Sequence, residues 1–578
     1  MKINPRATFV FIGLILGFSA LTLKYAIAPT YFTPKAISLI SYGLLILFTI
    51  ELFYLFWVSL KKLLYFRVNL FGILLWLFIV ILLLYSRSSF LITLPRAQFL
   101  ATNLIFLRYL YHLSQILRRV RKFNLYLKHV LERPAQTIAL SFLVVIIIGA
   151  LFLLMPFATV DGTSLGFVNA LFTATSAVCV TGLIVVDTAT RFSIYGKLII
   201  LILIQIGGLG IMIISYFAAF IMGKRVSIEE KIALSYLLNE REMERLSVTI
   251  LRIIVVTFSF ELIGGMLLYR YFWDIFQNEP KAILFAAFHA ISAFCNAGFA
   301  LFSNSLEDFR HSLYVNAVIS FLIISGGLSF LALTNIIEKF NSWFRNTFLK
   351  VKTYPRRLSL NTKAVLIMTT LLLIAGMLLI YSLEHRNLLV HYALPCQYLA
   401  AFFQSVTLRT AGFNTIDIGQ LRVPTLLIMC VFMFIGAASG STAGGVKVNT
   451  VFVIFAYIKA LLSGKSEVVI MRHTLPRELV SRSFLIIILA LLVVFTGTFI
   501  LTLSEPYPVH RLLFEVASAF GTVGLSTGIT PFLNSFSKLL IIITMFIGRI
   551  GPVTLILAIS RHKVQDRVKY PEGEISIG

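Results

Sequence analysis

The sequence predicts an all-α polytopic membrane protein in which four copies of one short re-entrant unit surround a common axis. Three observations predict it. The 578-residue chain is 59% hydrophobic, with a mean hydropathy of +0.93, more apolar than a soluble domain of that length. Apolar runs near the ~20 residues needed to span a bilayer recur along it. One twelve-residue pattern occurs four times, at Phe172–Leu183, Phe288–Phe299, Phe402–Phe413 and Phe514–Leu525, and self-similarity at a fixed period signals a repeat architecture.

Taken in order, residues 7–28, 36–57 and 68–85 read as spans, and 97–117 as a fourth despite Asn103, Arg108 and His112. Lys61, Lys62 and Arg67 mark one cytoplasmic end, and Arg118, Arg119, Arg121 and Lys122 another, because basic residues stay inside. Residues 1–133 are thus expected to form a four-helix bundle with its N-terminus inside. Met1–Arg6 leads into the first span without a small-residue cleavage site, so that span is read as retained. Arg96, Arg108 and Arg118 stand ten to twelve residues apart, whereas voltage-sensor arginines recur every three; an accessory bundle is expected. A charge at the membrane centre costs about 2.5–3.5 kcal/mol, so Arg108 needs a partner, and Glu51 is the candidate.

From Pro134 each repeat has the order outer helix, hairpin, inner helix, giving units 134–225, 226–345, 346–465 and 466–578, the last with a C-terminal tail. Outer helices are expected over 136–156, 247–269, 364–383 and 483–503, and inner helices over 196–222, 313–335, 424–460 and 536–560. The joins 336–363 and 463–483 are basic, whereas 157–170 contains no Lys or Arg. This predicts hairpin mouths outside and both termini in the cytoplasm. Residues 224–245 mix both signs and predict a cytoplasmic surface helix. The net charge of +26 is topological, so no nucleic-acid partner is expected. Cys179, Cys295, Cys396 and Cys430 occur singly, implying neither a metal site nor a disulfide framework; Cys179 and Cys295 are expected to pack behind their hairpin turns.

Each hairpin has a helix too short to cross. It can enter and return only where its backbone lines an aqueous path. The aligned glycines Gly182, Gly298, Gly412 and Gly524 lie 116, 114 and 112 residues apart. The fourth copy reads Thr522-Val523-Gly524, the start of the carbonyl ladder with which potassium channels replace an ion's water. Ser176, Ser292 and Ser518 stand six residues before their glycines, and Val406 breaks the pattern. Small residues mark the inner helices at Gly207-Gly208-Leu209-Gly210, Gly326-Gly327 and Gly548-Arg549-Ile550-Gly551-Pro552, and close helix packing accounts for the first two. Gly436–Gly445, GAASGSTAGG, is expected to break the third inner helix over a cavity. It is not a phosphate-binding loop, because Val446 separates Gly445 from Lys447.

The segments SAVCVTGLIVVDT (176–188), LIQIGGLGIM (203–212), RTAGFNT (409–415), GAASGSTAGGVKVNT (436–450), GRIGPVT (548–554) and YPEGEISIG (570–578) resemble the Trk/Ktr/HKT superfamily of cation transporters, and its bacterial Ktr-type membrane subunit above all. The resemblance covers about 134–578. It implies one potassium path between four pore units, a homodimer, and a cytoplasmic nucleotide-binding (RCK-type) regulatory subunit. It implies a selectivity filter of Val180-Thr181-Gly182, Asn296-Ala297-Gly298, Thr410-Ala411-Gly412 and Thr522-Val523-Gly524. It implies a gate at Gly440, Ser441, Thr442, Ala443, Gly444 and Gly445, with Arg549 beside it. In the plant branch a Ser at the first glycine accompanies sodium selectivity; four glycines here imply potassium. Arg409 is expected to brace its loop, since a cation facing the path would repel potassium.

The expected activity is therefore potassium uptake across the plasma membrane, with potassium as substrate, sodium as a candidate activator, and no covalent cofactor or catalytic residue. A secondary cation transporter or sodium-coupled symporter is the nearer alternative. A membrane transferase or a subunit of a cation-pumping ATPase is the more distant one, since the spans contain no clustered His/Asp/Glu set.

Overall fold

The computed structural model describes residues 33–58, 72–81, 134–210, 246–348, 357–465 and 467–559, with isolated positions elsewhere. The expected spans over 7–28 and 97–117 lie almost wholly outside the described residues, as do the mixed-charge helix over 224–245 and the tail 570–578. The chain forms two compact units, Met1–Val130 with Leu153–Gly166, and Leu131–Phe152 with Phe167–Gly578.

In the first unit Leu44, Phe48 and Leu52 of the helix Thr33–Val58 pack with Ile79 and Ile105. Arg108 donates to Glu51 at 2.7 Å, both side chains being buried, and its guanidinium lies 4.1 Å over the Phe48 ring. The partner required by the burial of a cation is the one found. Such a pair offsets the desolvation of both charges only while both are present.

In the second unit the outer helices are Pro134–Leu154, Leu246–Phe276, Leu360–Glu384 and Arg477–Ser504. The hairpin helices are Phe167–Val178, Glu279–Phe294, Leu394–Thr407 and Val509–Gly521, 12 to 16 residues long, or roughly 18–24 Å at 1.5 Å per residue. That is short of the ~30 Å hydrocarbon core, so they enter and return. Three inner helices, Ile194–Leu209, Leu313–Gly327 and Ser535–Ile550, start from a side-chain cap at Ser193, Ser312 and Asn534; each cap satisfies a backbone N–H that would otherwise lack a partner. The third starts at Val423 with a proline in its first turn.

The inner helices are interrupted in all four repeats, which corrects the continuous helices expected over 196–222, 313–335 and 536–560. The first ends at Gly210 with φ 85°. The second bends by 109° between Gly327 and Phe330, and continues as Phe330–Thr347. The third stops at Phe434 and resumes at Val448. The fourth ends at Gly551, with φ 92°, before Pro552–Ile559. The physical reason lies in the small residues before each break. A Cβ at Gly207, Gly326 or Gly548 would collide with the carbonyl of Val178, Phe294 or Phe520 at the end of the adjoining hairpin helix. Glycine there lets the hairpin approach, and the next glycine or bend supplies a helix stop.

Candidate ion-conduction site

The four hairpin turns share one backbone conformation. Two residues before each glycine, Val180, Asn296, Thr410 and Thr522 have φ of 56°, 58°, 69° and 50°. The glycines themselves have φ of 90°, 69°, 81° and 93° at Gly182, Gly298, Gly412 and Gly524. Non-glycine residues seldom hold positive φ, and four aligned copies doing so identify a built turn. The turn is set by the helix behind it. The N–H groups of Thr181, Ala297 and Val523 donate to the carbonyls of Ser176, Ser292 and Ser518 at 2.7, 2.7 and 2.8 Å. In the third copy, where Val406 replaces the serine, the Ala411 N–H turns instead to Thr407, at 2.9 Å.

The glycines close a ring. A Cβ on Gly182 would lie 2.5 Å from the Ala297 carbonyl oxygen and 3.0 Å from the Cα of Gly298. One on Gly298 would lie 2.8 Å from the Ala411 oxygen and 2.9 Å from Gly412 Cα. One on Gly412 would strike the Val523 carbonyl, and one on Gly524 the Thr181 carbonyl, 3.0 Å from Gly182 Cα. Each copy thus meets the carbonyl of the next, and the fourth returns to the first. The ring is made of main chain, with room for nothing larger than hydrogen on its glycines. Carbonyls gathered in this way can replace the water around a cation.

Buried side chains hold the ring from behind. The hydroxyls of Ser176 and Ser518 accept the N–H of Gly182 and Gly524 at 3.0 and 3.1 Å, and Ser292 donates to the Phe299 carbonyl at 2.8 Å. The sequence had shown these serines without their work. It hid a second support, because the residue nine before each glycine is not constant: Thr173, His289, Phe403 and Glu515. His289 Nε2 accepts the Leu301 N–H at 3.3 Å, and Glu515 accepts the Thr527 N–H at 2.8 Å, so two different side chains secure the third residue after the glycine. Glu515 also accepts from Ser526 and both Thr527 and Thr530 hydroxyls. Cys179 and Cys295 are buried behind the turns as expected, Cys295 against Gly208. With its amide oriented to donate to Ile323 and Ala293 and accept from Gly327, Asn296 points its side chain to the second inner helix. Arg409 does not brace its loop: it is buried, and its Nε and Nη2 make no hydrogen bond. Asn414 does that work through Ser305 Oγ (3.2 Å), Glu307 Oε1 (2.8 Å) and the Ile416 carbonyl (3.1 Å). At this mouth Glu307 is half-buried beside Asp417, and burial, then that neighbouring charge, raises its carboxyl pKa above the ordinary value.

The break in the third inner helix packs against the ring: a Cβ on Gly444 would strike the Thr522 side chain, and one on Gly445 would lie 3.3 Å from Gly521 Cα. The loop is held in place although it has no large apolar residue. Thr442 and Ala443 are buried. Thr442 Oγ1 donates to the Gly326 carbonyl at 3.0 Å, Ala438 N–H to Gly327 at 3.2 Å, and Gly445 N–H to Gly548 at 3.2 Å. Neighbouring helix breaks supply the partners that apolar side chains do not. Arg549 donates to the carbonyls of Thr442 and Gly207. Lys447 Nζ donates to the Ala443 carbonyl at 2.5 Å; its place just after the glycines was the signal available for it. A cavity of about 780 Å³ adjoins the loop, lined by Ser329, Gly440, Ser441, Lys447, Arg482 and Arg549 among others.

A family model described as cation transport protein, TrkH, matches residues 102–569. The chain belongs to the TrkH family of cation transport proteins. It is 38% identical over 459 residues to the Ktr system potassium uptake protein B of Bacillus subtilis, covering 78% of this chain and 98% of that one. To the Ktr system potassium uptake protein B of Vibrio alginolyticus it is 39% identical, covering 77% and 94%. To the potassium/sodium uptake protein NtpJ of Enterococcus hirae it is 37% identical, covering 77% and 97%. In fold it is similar to the crystal structure of the potassium transporter TrkH from Vibrio parahaemolyticus, with a TM-score of 0.58 and 16% identity, over 97% of this chain and 99% of that one. The TrkH family match starts at residue 102, before the start of about 134 expected for the resemblance, while the three relatives cover 77–78% of the chain.

Proposed function

We propose that the chain is the membrane subunit of a potassium-uptake system, passing potassium through the glycine ring under the membrane potential. The ring itself carries this reading. Its filter would be Val180–Gly182, Asn296–Gly298, Thr410–Gly412 and Thr522–Gly524, and its gate Gly440–Gly445 with Arg549 and Lys447. All four repeats have the order outer helix, hairpin, inner helix, which supports a pore with fourfold pseudosymmetry over a secondary transporter of inverted repeats. Two relatives are named as parts of a Ktr system, which supports a subunit working with others; the partner we propose is a cytoplasmic nucleotide-binding subunit of RCK type, on a homodimer in the plasma membrane with both termini inside. A relative named for potassium and sodium keeps sodium as activator or second cation. The test is uptake in a host lacking its own potassium transport, with and without the regulatory subunit. Growth at low external potassium is expected, and competing sodium should leave potassium uptake largely intact. A chain that reaches the membrane at normal levels and restores no uptake overturns the reading.

A further inference from the structure

The second inner helix has 15 residues, roughly 22 Å at 1.5 Å per residue. Starting from the hairpin-mouth side, it stops short of the opposite interface of a ~30 Å core. The 109° bend then turns Phe330–Thr347 towards the plane of the bilayer at that depth. This helix has two unlike faces. Its polar side meets protein: the Ser359 N–H donates to Asn335 at 3.0 Å, and Arg252 pairs with Glu338 at 2.8 Å. Its aromatic side faces out, with Phe340, Trp343 and Phe344 at 59%, 52% and 42% exposure. By the helical turn of about 100° per residue, Lys339 falls on a border between these faces and Arg345 on the polar side beside Glu338, and both are exposed. An aromatic face on a helix with exposed basic residues suits the boundary between acyl chains and anionic headgroups.

The same helix begins on the broken loop. The Phe330 N–H donates to the Gly440 carbonyl at 2.9 Å, while Gly326 and Gly327, just before the bend, accept from Thr442 and Ala438. A tilt of the helix about this bend therefore moves the group bonded to Gly440, beside the glycines that hold Ala438 and Thr442.

We propose that Phe330–Thr347 is a membrane-seated helix. Its Phe340–Trp343–Phe344 face lies in the leaflet opposite the hairpin mouths, Lys339 and Arg345 rest on anionic headgroups, and its tilt sets the position of the loop. The second half of this rests on the loop being the gate; the lipid contact does not. The chain has four tryptophans, so replacing Trp57, Trp76 and Trp273 by Phe leaves Trp343 as the sole reporter. In vesicles of phosphatidylcholine and phosphatidylglycerol, lipids brominated on the acyl chains are expected to quench its emission about twofold or more. Absence of quenching overturns the lipid contact and assigns the face to a second copy or another protein. Potassium flux of the parent is expected to change with the phosphatidylglycerol fraction, and that of Lys339→Glu/Arg345→Glu to stay flat. Quenching with flux insensitive to the anionic lipid in the parent overturns the link to the loop. Flux unchanged in Arg549→Ala overturns the gate reading instead, and leaves the quenching result standing.

Discussion

The guanidinium of Arg549 donates to the backbone carbonyl of Thr442, so the fourth inner helix holds the loop that interrupts the third. The other end of the fork reaches Gly207 on the first inner helix, and Lys447 holds the next carbonyl, that of Ala443. A charged hydrogen bond contributes about 1.5–3 kcal/mol, and each 1.4 kcal/mol is about tenfold in an equilibrium. Arg549→Ala is expected to raise partner-independent potassium flux in liposomes by roughly ten- to a hundredfold. Lys447→Met should raise it less, and the double variant should fall short of the product, since both cations hold adjacent residues of one loop. Flux as low as the parent's in all three, with folded protein, places the barrier elsewhere.

The sequence carried the repeat because a turn whose backbone closes on that of the next copy tolerates only glycine, and glycine at 182, 298, 412 and 524 leaves a period. It carried the Arg108–Glu51 pair because a buried cation demands an anion. It did not carry which backbone groups individual side chains and small residues meet. Thr173, His289, Phe403 and Glu515 share a position but no chemistry, so no pattern announced that two of them hold the same backbone group. The breaks in the first, second and fourth inner helices were hidden because Gly207, Gly326 and Gly548 look the same whether they pack a helix or admit a carbonyl. Arg409 was given a task that the neighbouring Asn414 performs across the boundary between two repeats.

Gly298→Ser is expected to lower potassium preference over sodium more than total flux. Gly298 has φ 69°, and a side chain there would press on the Ala411 carbonyl at 2.8 Å and on Gly412 Cα at 2.9 Å. Displacing that carbonyl alters the coordination on which selection rests without closing the path. Uptake competition between the two ions measures it, and unchanged preference removes Gly298 from the filter.

At the mouth, burial and Asp417 raise the pKa of Glu307, while Asn414 and Arg310 act against them. A raised carboxyl pKa means that folding favours the protonated form. This group therefore adds stability below its unfolded-state pKa of about 4.3 and disfavours the fold once pH rises through its higher folded-state value. Glu307→Gln should therefore flatten the pH dependence of melting in the acidic range. It should also weaken potassium uptake at low external concentration, where an anionic mouth concentrates cations. A variant with the parent's pH profile and half-saturation would show that Glu307 does neither.

Glu515 separates support of the ring from contact with the ion. Its carboxylate is fully buried and accepts from Ser526 at 2.9 Å, from the Thr527 N–H at 2.8 Å and hydroxyl at 3.0 Å, and from the Thr530 hydroxyl at 2.5 Å. These donors lie just after Gly524, so the side chain fixes how the fourth copy leaves the ring. Glu515→Ala leaves several buried donors without acceptors, each costing about 1–3 kcal/mol, and the protein is expected to lose several degrees of melting temperature in detergent. Glu515→Gln keeps the acceptor oxygen that serves Ser526 and Thr527 and places an amide N–H on the Thr530 hydroxyl, which can turn to accept it. It should stay close to the parent in both stability and selectivity, since the bonds that hold Ser526 and Thr527 remain, whereas alanine should lose both. Melting curves with and without potassium, beside ion competition in liposomes, test both halves. If Glu515→Ala melts like the parent and keeps its ion preference, the exit of the fourth copy is held by its backbone, and the side chain is not what fixes the ring.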